Sequence, residues 1–342
     1  MGAGMTADGQ QHATLIDVAR LANVAPSTAS RALQGNTRIS EPTRERVRAA
    51  ADNLGYQPNR IARSLRTRSV SLVGIVVPDI GIGFYSRFVK GAQDVLEEAG
   101  LQVLVTSTER EADREEKALR TLIEHRVNGV LLATSAPDRP EPPIPTVFFD
   151  NLVPGRGVAN VARANRDGID VLVDHLAWHG HTRIAYIGGP PTLTSGAERA
   201  DGFREAIARL GLELPDGYVE FGDAVWSPPS AAAAMHRLLA LAERPTAIVT
   251  SGDTLALGAM SACREGGVEL PADMALVSFD DPFFGDLLDP PLTALTRCEP
   301  ELGRLAATLL LRALEPGAIA EPSQEVRLPV ELIVRRSCGC RG

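Results

Sequence analysis

The sequence predicts an all-α head of helix-turn-helix type followed by an α/β body in two lobes, each an open parallel sheet. Three observations carry this. Between Thr14 and Arg66, capping residues, prolines and apolar stripes recur at helical spacing. From Ser69 onward, short continuous apolar runs alternate with helix-period segments, the pattern of parallel strands covered on both faces. Charge is divided as well: residues 1–68 hold ten arginines against five acids, a balance of +5, whereas the 342-residue chain carries −8, which leaves −13 for the remainder. A basic head on an acidic body concentrates attraction for phosphate groups in the head.

In the head, Thr14 caps a first helix, with Asp17 three residues on as an acidic counterpart of the capping box. Leu15, Val18, Ala19 and Ala22 form its apolar stripe, and Asn23-Val24-Ala25 makes the turn. Pro26 suits the first position of a second helix, where its missing N–H costs nothing. Ala29, Ala32 and Leu33 are the expected buried face, which leaves Ser27, Thr28, Ser30 and Arg31 outward. Two helices over such a short turn form the unit whose second helix enters the DNA major groove by its N-terminal residues. Arg31 carries the side chain that pairs bidentately with guanine, while Ser27 and Thr28 suit either base edges or phosphates. A third helix starts near Ser40-Glu41-Pro42 and runs to Leu54 to brace the first two, and a fourth follows through Tyr56-Gln57-Pro58.

In the body, strands are expected at Leu72–Val77, Leu101–Val105, Val130–Ala133 and Thr146–Phe149, then at Ile184–Ile187, Tyr218–Phe221, Ala247–Thr250 and Ala275–Phe279. Helices lie between them, including segments near 199–210, 230–241 and 254–265. Open α/β sheets bind ligands at the carboxyl ends of their strands, so two facing lobes enclose a ligand in the cleft between them. Residues 1–12 read as a polar, disordered tail without the apolar run of a signal peptide, and nowhere do eighteen apolar residues run uninterrupted. The expectation is a cytoplasmic protein without membrane contact.

The blocks DVARLANV, STASRAL, TRERVRAAADNLGYQPN and ARSL, in this order and spacing, resemble the lactose-repressor (LacI/GalR) family. GIVVPDI, GHTRIAYIGGP, AERADGFREAI, SGDTLALGAM, SFDDPFFGDLLDPPLTAL and ELIVRRSC extend the likeness over nearly everything after the first dozen residues. The resemblance implies a ligand-responsive transcription regulator, mostly repressing, that binds a palindromic operator in double-stranded DNA as a homodimer. It implies a helix-turn-helix domain over 13–58 and a hinge helix with linker over 59–68. The remainder, 69–342, becomes a periplasmic-binding-protein-like effector domain, with one lobe at about 69–167 and 298–319 and the other at about 168–297 and 320–342. The DNA-facing set carried over is Thr14, Ser27, Thr28, Ser30, Arg31, Asn36, Asn59, Ala62 and Leu65, with Leu65 matching the wedge that unstacks a base step in the minor groove. Ala25 departs from the serine that often caps the recognition helix in the family, at a cost of about 1 kcal/mol.

For the effector, a sugar or sugar derivative, the resemblance selects Phe84, Tyr85, Asp150, Arg199, Trp226, Asp253, Asp280 and Arg297. Carboxylates and an arginine around aromatic faces suit a polyhydroxylated ligand, whose hydroxyls need paired donors and acceptors. Taken singly, Arg199 also suits a surface bridge to Asp201 or Glu205, and Asp280 a helix cap. Gly252 stands where several sugar-binding members carry Asn, which speaks against a simple hexose. Arg199 with Arg297 would also suit a phosphate or carboxylate on the ligand.

Two rival classes share the α/β body. An enzyme lacks a visible constellation: Gly81-Ile82-Gly83 is without the third glycine of a dinucleotide loop, and no G-x-S-x-G elbow or Walker loop occurs. A transported-solute receptor does not account for the arginine-rich head. No cofactor is expected. Neither is a metal: Cys338-Gly339-Cys340 has one intervening residue and no neighbouring His in sequence, Cys263 and Cys298 stand apart, and His175, His179 and His181 read as a helix end and the turn after it.

Overall fold

The computed structural model describes residues 14–33, 39–54, 72–138, 140–153, 159–222, 226–296, 298–315 and 324–340. The chain divides into two compact units, Met1–Val70 and Ser71–Gly342.

In the first unit, α1 (Leu15–Leu21), α2 (Pro26–Leu33) and α3 (Glu41–Asn53) close on a small core. Thr14 and Asp17 form a reciprocal capping box, the Thr14 hydroxyl accepting from the Asp17 N–H and the Asp17 carboxylate accepting from the Thr14 N–H. The turn after α1 is a Schellman motif. Asn23 takes φ +51°, its N–H donates to the Arg20 carbonyl, and the Val24 N–H donates to the Ala19 carbonyl. Asn is among the few side chains that accept this left-handed geometry, so Asn23 fixes the angle at which α2 leaves. Val18, Ala19, Ala22, Ala29, Ala32, Val47, Ala50 and Ala51 make the core. So many alanines let the three short helices approach closely at the expense of buried apolar area. Ser40 precedes α3 without a side-chain bond to the helix backbone, its hydroxyl meeting that of Thr43 instead.

The second unit opens with β1 (Leu72–Val77), α4 (Gly83–Glu98), β2 (Gln102–Ser107), α5 (Ala112–Glu124), β3 (Gly129–Leu132), β4 (Thr146–Phe149) and β5 (Ala159–Arg163). It continues with α6 (Asn165–Trp178), β6 (Ile184–Gly188), α7 (Thr194–Arg209), β7 (Val219–Phe221), α8 (Pro228–Leu239), β8 (Ala247–Thr250), α9 (Asp253–Glu265), β9 (Ala275–Ser278) and β10 (Thr293–Leu295). The chain then runs through α10 (Glu299–Ala313), β11 (Gln324–Leu328) and β12 (Leu332–Ile333). Two six-stranded sheets result, ordered β11-β5-β4-β3-β1-β2 and β12-β10-β9-β8-β6-β7. All pairings are parallel except that of β10 with β12. Among the described residues, no helix is long and apolar enough to cross a membrane.

The chain passes between the sheets at three places: from β5 to α6, from β10 to α10, and from β11 to β12. The last differs from the boundary expected near residue 320. Gln324–Leu328 still pairs with Ala159–Arg163 in the first sheet, so the second lobe regains the chain only after Leu328. The alternation of apolar runs could not reveal β11, because QEVRL is an edge strand whose side chains are exposed or half-buried.

On the second crossing, α10 returns to pack along α4. A Cβ on Gly91 would lie 2.1 Å from the Pro300 carbonyl oxygen, and one on Gly303 would lie 2.1 Å from that of Phe88. The two backbones touch where each helix has no side chain. Alanine ordinarily favours a helix over glycine by up to about 1 kcal/mol. Here Gly91→Ala is expected instead to lower stability by about 1–3 kcal/mol through overpacking, measured by denaturant unfolding.

Candidate functional site

The strand ends of the two sheets face each other across a cleft. Phe84 and Tyr85 reach it from the first turn of α4, Asp150 from the end of β4, Arg199 from α7, Trp226 from the segment before α8, Asp253 from the first turn of α9, and Asp280 from just beyond β9. These seven effector candidates line one cavity. Arg297 lies outside the described residues. Ile82, Arg110, Arg163, Leu193, Ser195 and Thr254 complete the lining. These side chains enclose a cavity of about 430 Å³.

The centre of this site is an ion network. Arg163 donates to the Asp280 carboxylate, and Arg199 Nη1 stands 3.8 Å from its other oxygen. Both guanidiniums are nearly inaccessible, at 4% and 2% exposure. Arg199 also donates from Nε to Asn165 Oδ1 at 2.9 Å and from Nη1 to the Ser251 carbonyl at 2.5 Å. Its bridge to Asp201 or Glu205 does not form, because Arg199 is buried with these partners, while Arg166 pairs with both acids at the surface and Arg204 with Asp201. Phe279 lies under both arginines, its ring centroid 3.9 Å from the Arg199 Cζ and 4.9 Å from that of Arg163. Phe84 covers Arg163 at 4.5 Å. Cation–π contacts thus replace part of the lost hydration. Burial opposes charge on Asp280, yet Arg163 and Arg199 outweigh it and hold the carboxyl below its ordinary range. Burial pulls the Arg199 pKa down, with Arg163 adding to the effect.

Around this centre, Asp150 accepts a 3.0 Å hydrogen bond from the Tyr85 hydroxyl and sits at φ +65°. That left-handed geometry costs energy in most non-glycine residues and turns the carboxylate off the strand. Burial, then the adjacent Asp150 charge, raises the Tyr85 phenol well above its usual value, so it remains a donor. Trp226 lies against two glycines: a Cβ on Gly189 would approach its indole to 2.2 Å and one on Gly252 to 3.0 Å. Gly252 therefore makes room for an aromatic wall. Asp253 is pushed up to about 6 by burial and then by the Asp280 charge.

Sequence reading missed Arg163, although its signal was present. It ends a short run, ANVAR, that reads as a strand only beside its neighbours, and an arginine at the inner end of a covered strand needs a counter-charge.

In the helical head, Ser27 and Arg31 are exposed on α2, Thr28 and Ser30 are half-buried, and Thr14 is exposed but commits its hydroxyl to Asp17 at 2.6 Å. Asn36, Asn59, Ala62 and Leu65 lie outside the described residues, as does the hinge segment 59–68.

Residues 14–59 match the profile of bacterial regulatory proteins of the lacI family, and residues 173–338 that of a periplasmic binding protein-like domain. The ribose operon repressor of Escherichia coli (strain K12) is 33% identical over 333 residues, covering 95% of this chain and 99% of its own length. The chain belongs to the LacI family. A crystal structure of the lac repressor dimer bound to operator and the anti-inducer ONPF superposes with a TM-score of 0.85 at 27% identity, over 96% of this chain and 99% of that one. The transcriptional regulator CelR in complex with cellobiose aligns with a TM-score of 0.71 at 31% identity, over 95% and 99% of the two chains. This LacI-family chain is accordingly a DNA-binding transcriptional regulator with a helix-turn-helix head and a two-lobed α/β body.

Two outcomes follow from the charges in this regulator's cleft. Asp280→Asn strands two buried guanidiniums, so it is expected to destabilise the body by about 3–5 kcal/mol in denaturant unfolding. Asp253 behaves in the opposite sense. Its folded-state pKa, about 6, exceeds the ordinary 3.8, so across that window the folded protein keeps a proton that the unfolded chain has lost. Its contribution to stability is present at lower pH and is lost as pH rises through that window. Asp253→Asn is expected to melt higher than the parent at pH 7, with the difference shrinking towards pH 4, as calorimetric scans across pH would read.

Proposed function

We propose that this LacI-family regulator is a cytoplasmic, homodimeric repressor whose affinity for a palindromic operator is set by a neutral, polyhydroxylated ligand, a sugar or sugar derivative, held between its lobes. The observation that carries the reading is the composition of the cleft. Arg110, Arg163 and Arg199 are matched there by Asp150, Asp253 and Asp280 among the described lining residues, so donors and acceptors are plentiful while the net charge is near zero. Arg163 and Arg199 already share Asp280, which argues against a phosphorylated or carboxylated ligand. Trp226 and Phe84 supply apolar faces for stacking on a sugar ring. The ribose and cellobiose in the names of the relatives agree in chemical class.

Control of DNA binding follows from what joins the lobes. Arg163–Asp280, the Arg327–Glu198 pair at 2.6 Å and the Ser195 hydroxyl bonded to Asn151 at 3.1 Å all cross from one lobe to the other. A ligand that exchanges hydroxyl contacts with these groups binds one lobe orientation better than another, and only such a difference shifts a conformational equilibrium. In the head, Arg31 reads a guanine, and Ser27, Thr28, Ser30, Thr14 and Asn36 set the register on the backbone. Asn59, Ala62 and Leu65 form the hinge contact in the minor groove, with Leu65 the wedge. No catalytic role is assigned.

The test is selection of bound sequences from random duplex DNA by the purified full chain at two salt concentrations, with and without a panel of neutral and phosphorylated sugars. A palindrome whose enrichment responds to a neutral sugar is the expected result. A response confined to phosphorylated sugars overturns the ligand class, and a non-palindromic site overturns the dimer. On the selected site, Arg31→Ala is expected to cost about 1–3 kcal/mol and to relax selectivity at one base pair, read by competition binding.

A further inference from the structure

The structure gathers four metal-ligating side chains that are remote in sequence. His175 in the last turn of α6 and His179 at its C-cap stand four residues apart on one helical face. Cys338 and Cys340 meet them from the C-terminal segment, and the ligand atoms of all four lie within 4.8 Å of one another. His179 Nε2 is 3.0 Å from Cys340 Sγ, and His175 Nε2 is 3.9 Å from the same sulfur. We propose that His175, His179, Cys338 and Cys340 form a structural zinc site that clips the C-terminal segment to α6.

The donor set and the geometry favour this ion. Zinc takes two thiolates and two imidazoles as a closed tetrahedron, with bonds of about 2.3 Å to sulfur and about 2.0–2.1 Å to nitrogen. Those lengths put the donors of a tetrahedron about 3.3–3.8 Å apart, so the widest pair here needs to close by about 1 Å. The two sulfurs converge because Gly339 adopts φ +94°, a left-handed turn that brings the side chains on either side of it back to the helix. Their scaffold is rigid. Ser337 accepts from the Leu276 N–H at 2.8 Å and donates from Oγ to the Leu276 carbonyl at 2.6 Å, which stitches the segment to β9. The Thr293 hydroxyl donates to Cys338 Sγ at 3.1 Å while accepting from the Arg335 N–H at 2.9 Å, the kind of outer contact that orients a thiolate ligand. All four cysteines, these two included, are free thiols.

The site is separate from the ligand cleft. Asn165, at the other end of α6, bonds Arg199, and ten to fourteen residues of helix place the His pair about 15–20 Å away. Trp178 lies edge-on to His179 with ring centroids 4.9 Å apart, so its fluorescence offers a local signal.

The full chain, reduced and stripped of metal, is titrated with zinc and, in parallel, with cobalt(II) as a spectroscopic probe. The expected result is about one ion per chain, thiolate-to-cobalt charge-transfer absorption with the intense visible bands of a tetrahedral centre, and a higher melting temperature with zinc. Cys340→Ser and His179→Ala change partly exposed side chains, so the fold is expected to survive. Each should weaken zinc binding by at least about tenfold and abolish the thermal shift. Thr293→Val, which leaves all four ligands in place, should weaken it less. The proposal is overturned if the reduced chain binds no zinc, if the cobalt spectrum is that of the hydrated ion, or if the Cys340→Ser/His179→Ala double variant binds as the parent does. It is also overturned if thiol titration shows Cys338 and Cys340 joined as a disulfide that forms in preference to metal binding.

Discussion

The body is organised around one carboxylate held between two buried arginines. Asp280 follows the second sheet, Arg163 ends a strand of the first, and Arg199 comes from α7, so the three charges meet only when both lobes are folded and apposed. Desolvating a guanidinium is costly unless charge, hydrogen bonds and polarisable faces replace the lost water. Each replacement is present: Asp280 for both arginines, Asn165 and the Ser251 carbonyl for Arg199, and the ring of Phe279 under both. Removing any one of them leaves the others worse satisfied, which ties α6, α7, β8 and the end of β9 to a common geometry.

That constraint also defines the chemistry of the cleft. With two arginines committed to one acid, the remaining polar lining is balanced in charge: Asp150, turned off its strand by a left-handed backbone and accepting from the Tyr85 hydroxyl, Arg110, and Asp253 at the head of α9. Shape comes from Trp226, whose indole fills the space that Gly189 and Gly252 leave open. Gly252 therefore shapes the cleft by what it lacks. A residue with a Cβ there would press on the indole and on Asp280, whose Oδ2 would stand 3.2 Å from it.

Much of this was legible in the sequence because the responsible interactions are local. Thr14 and Asp17, Asn23 and Pro26 specify caps and turns within a few residues, and the helical head follows from them. The buried strands LVGIVV, GVLL, TVFF, IAYIG, AIVT and ALVS declare themselves by continuous apolar character. What escaped is non-local. β5 is buried yet contains Asn160 and Arg163, whose partners lie in Val153 and Asp280, so its polarity looks wrong for a core strand until those partners are known. β11 is an edge strand with exposed side chains, and misplacing it moved the last lobe boundary. The His and Cys pairs are separated by about 160 residues, beyond any spacing rule for metal ligands, and only the path of the C-terminal segment over α6 brings them together.

The same path bears on how the lobes can move. The second lobe is assembled from discontinuous pieces, one from α6 to β10 and one after β11. The later piece is held to the sheet by the two-residue strand β12 and by the bonds of Ser337. A lobe can rotate as a rigid body only if its pieces do not slide past one another, otherwise strain at a crossing dissipates locally instead of reorienting the whole sheet. The crossing from β11 to β12 therefore needs an anchor downstream. The contact of Cys338 and Cys340 with His175 and His179 supplies one on α6, the helix whose first residue, Asn165, bonds both Arg199 and Glu198. Glu198 in turn pairs with Arg327 on β11, so the helix is tied at one end to the cleft and an inter-lobe ion pair and at the other to the segment that follows β11. With both ends held, α6 links the first crossing, after β5, to the third, after β11, through bonds at each of its ends.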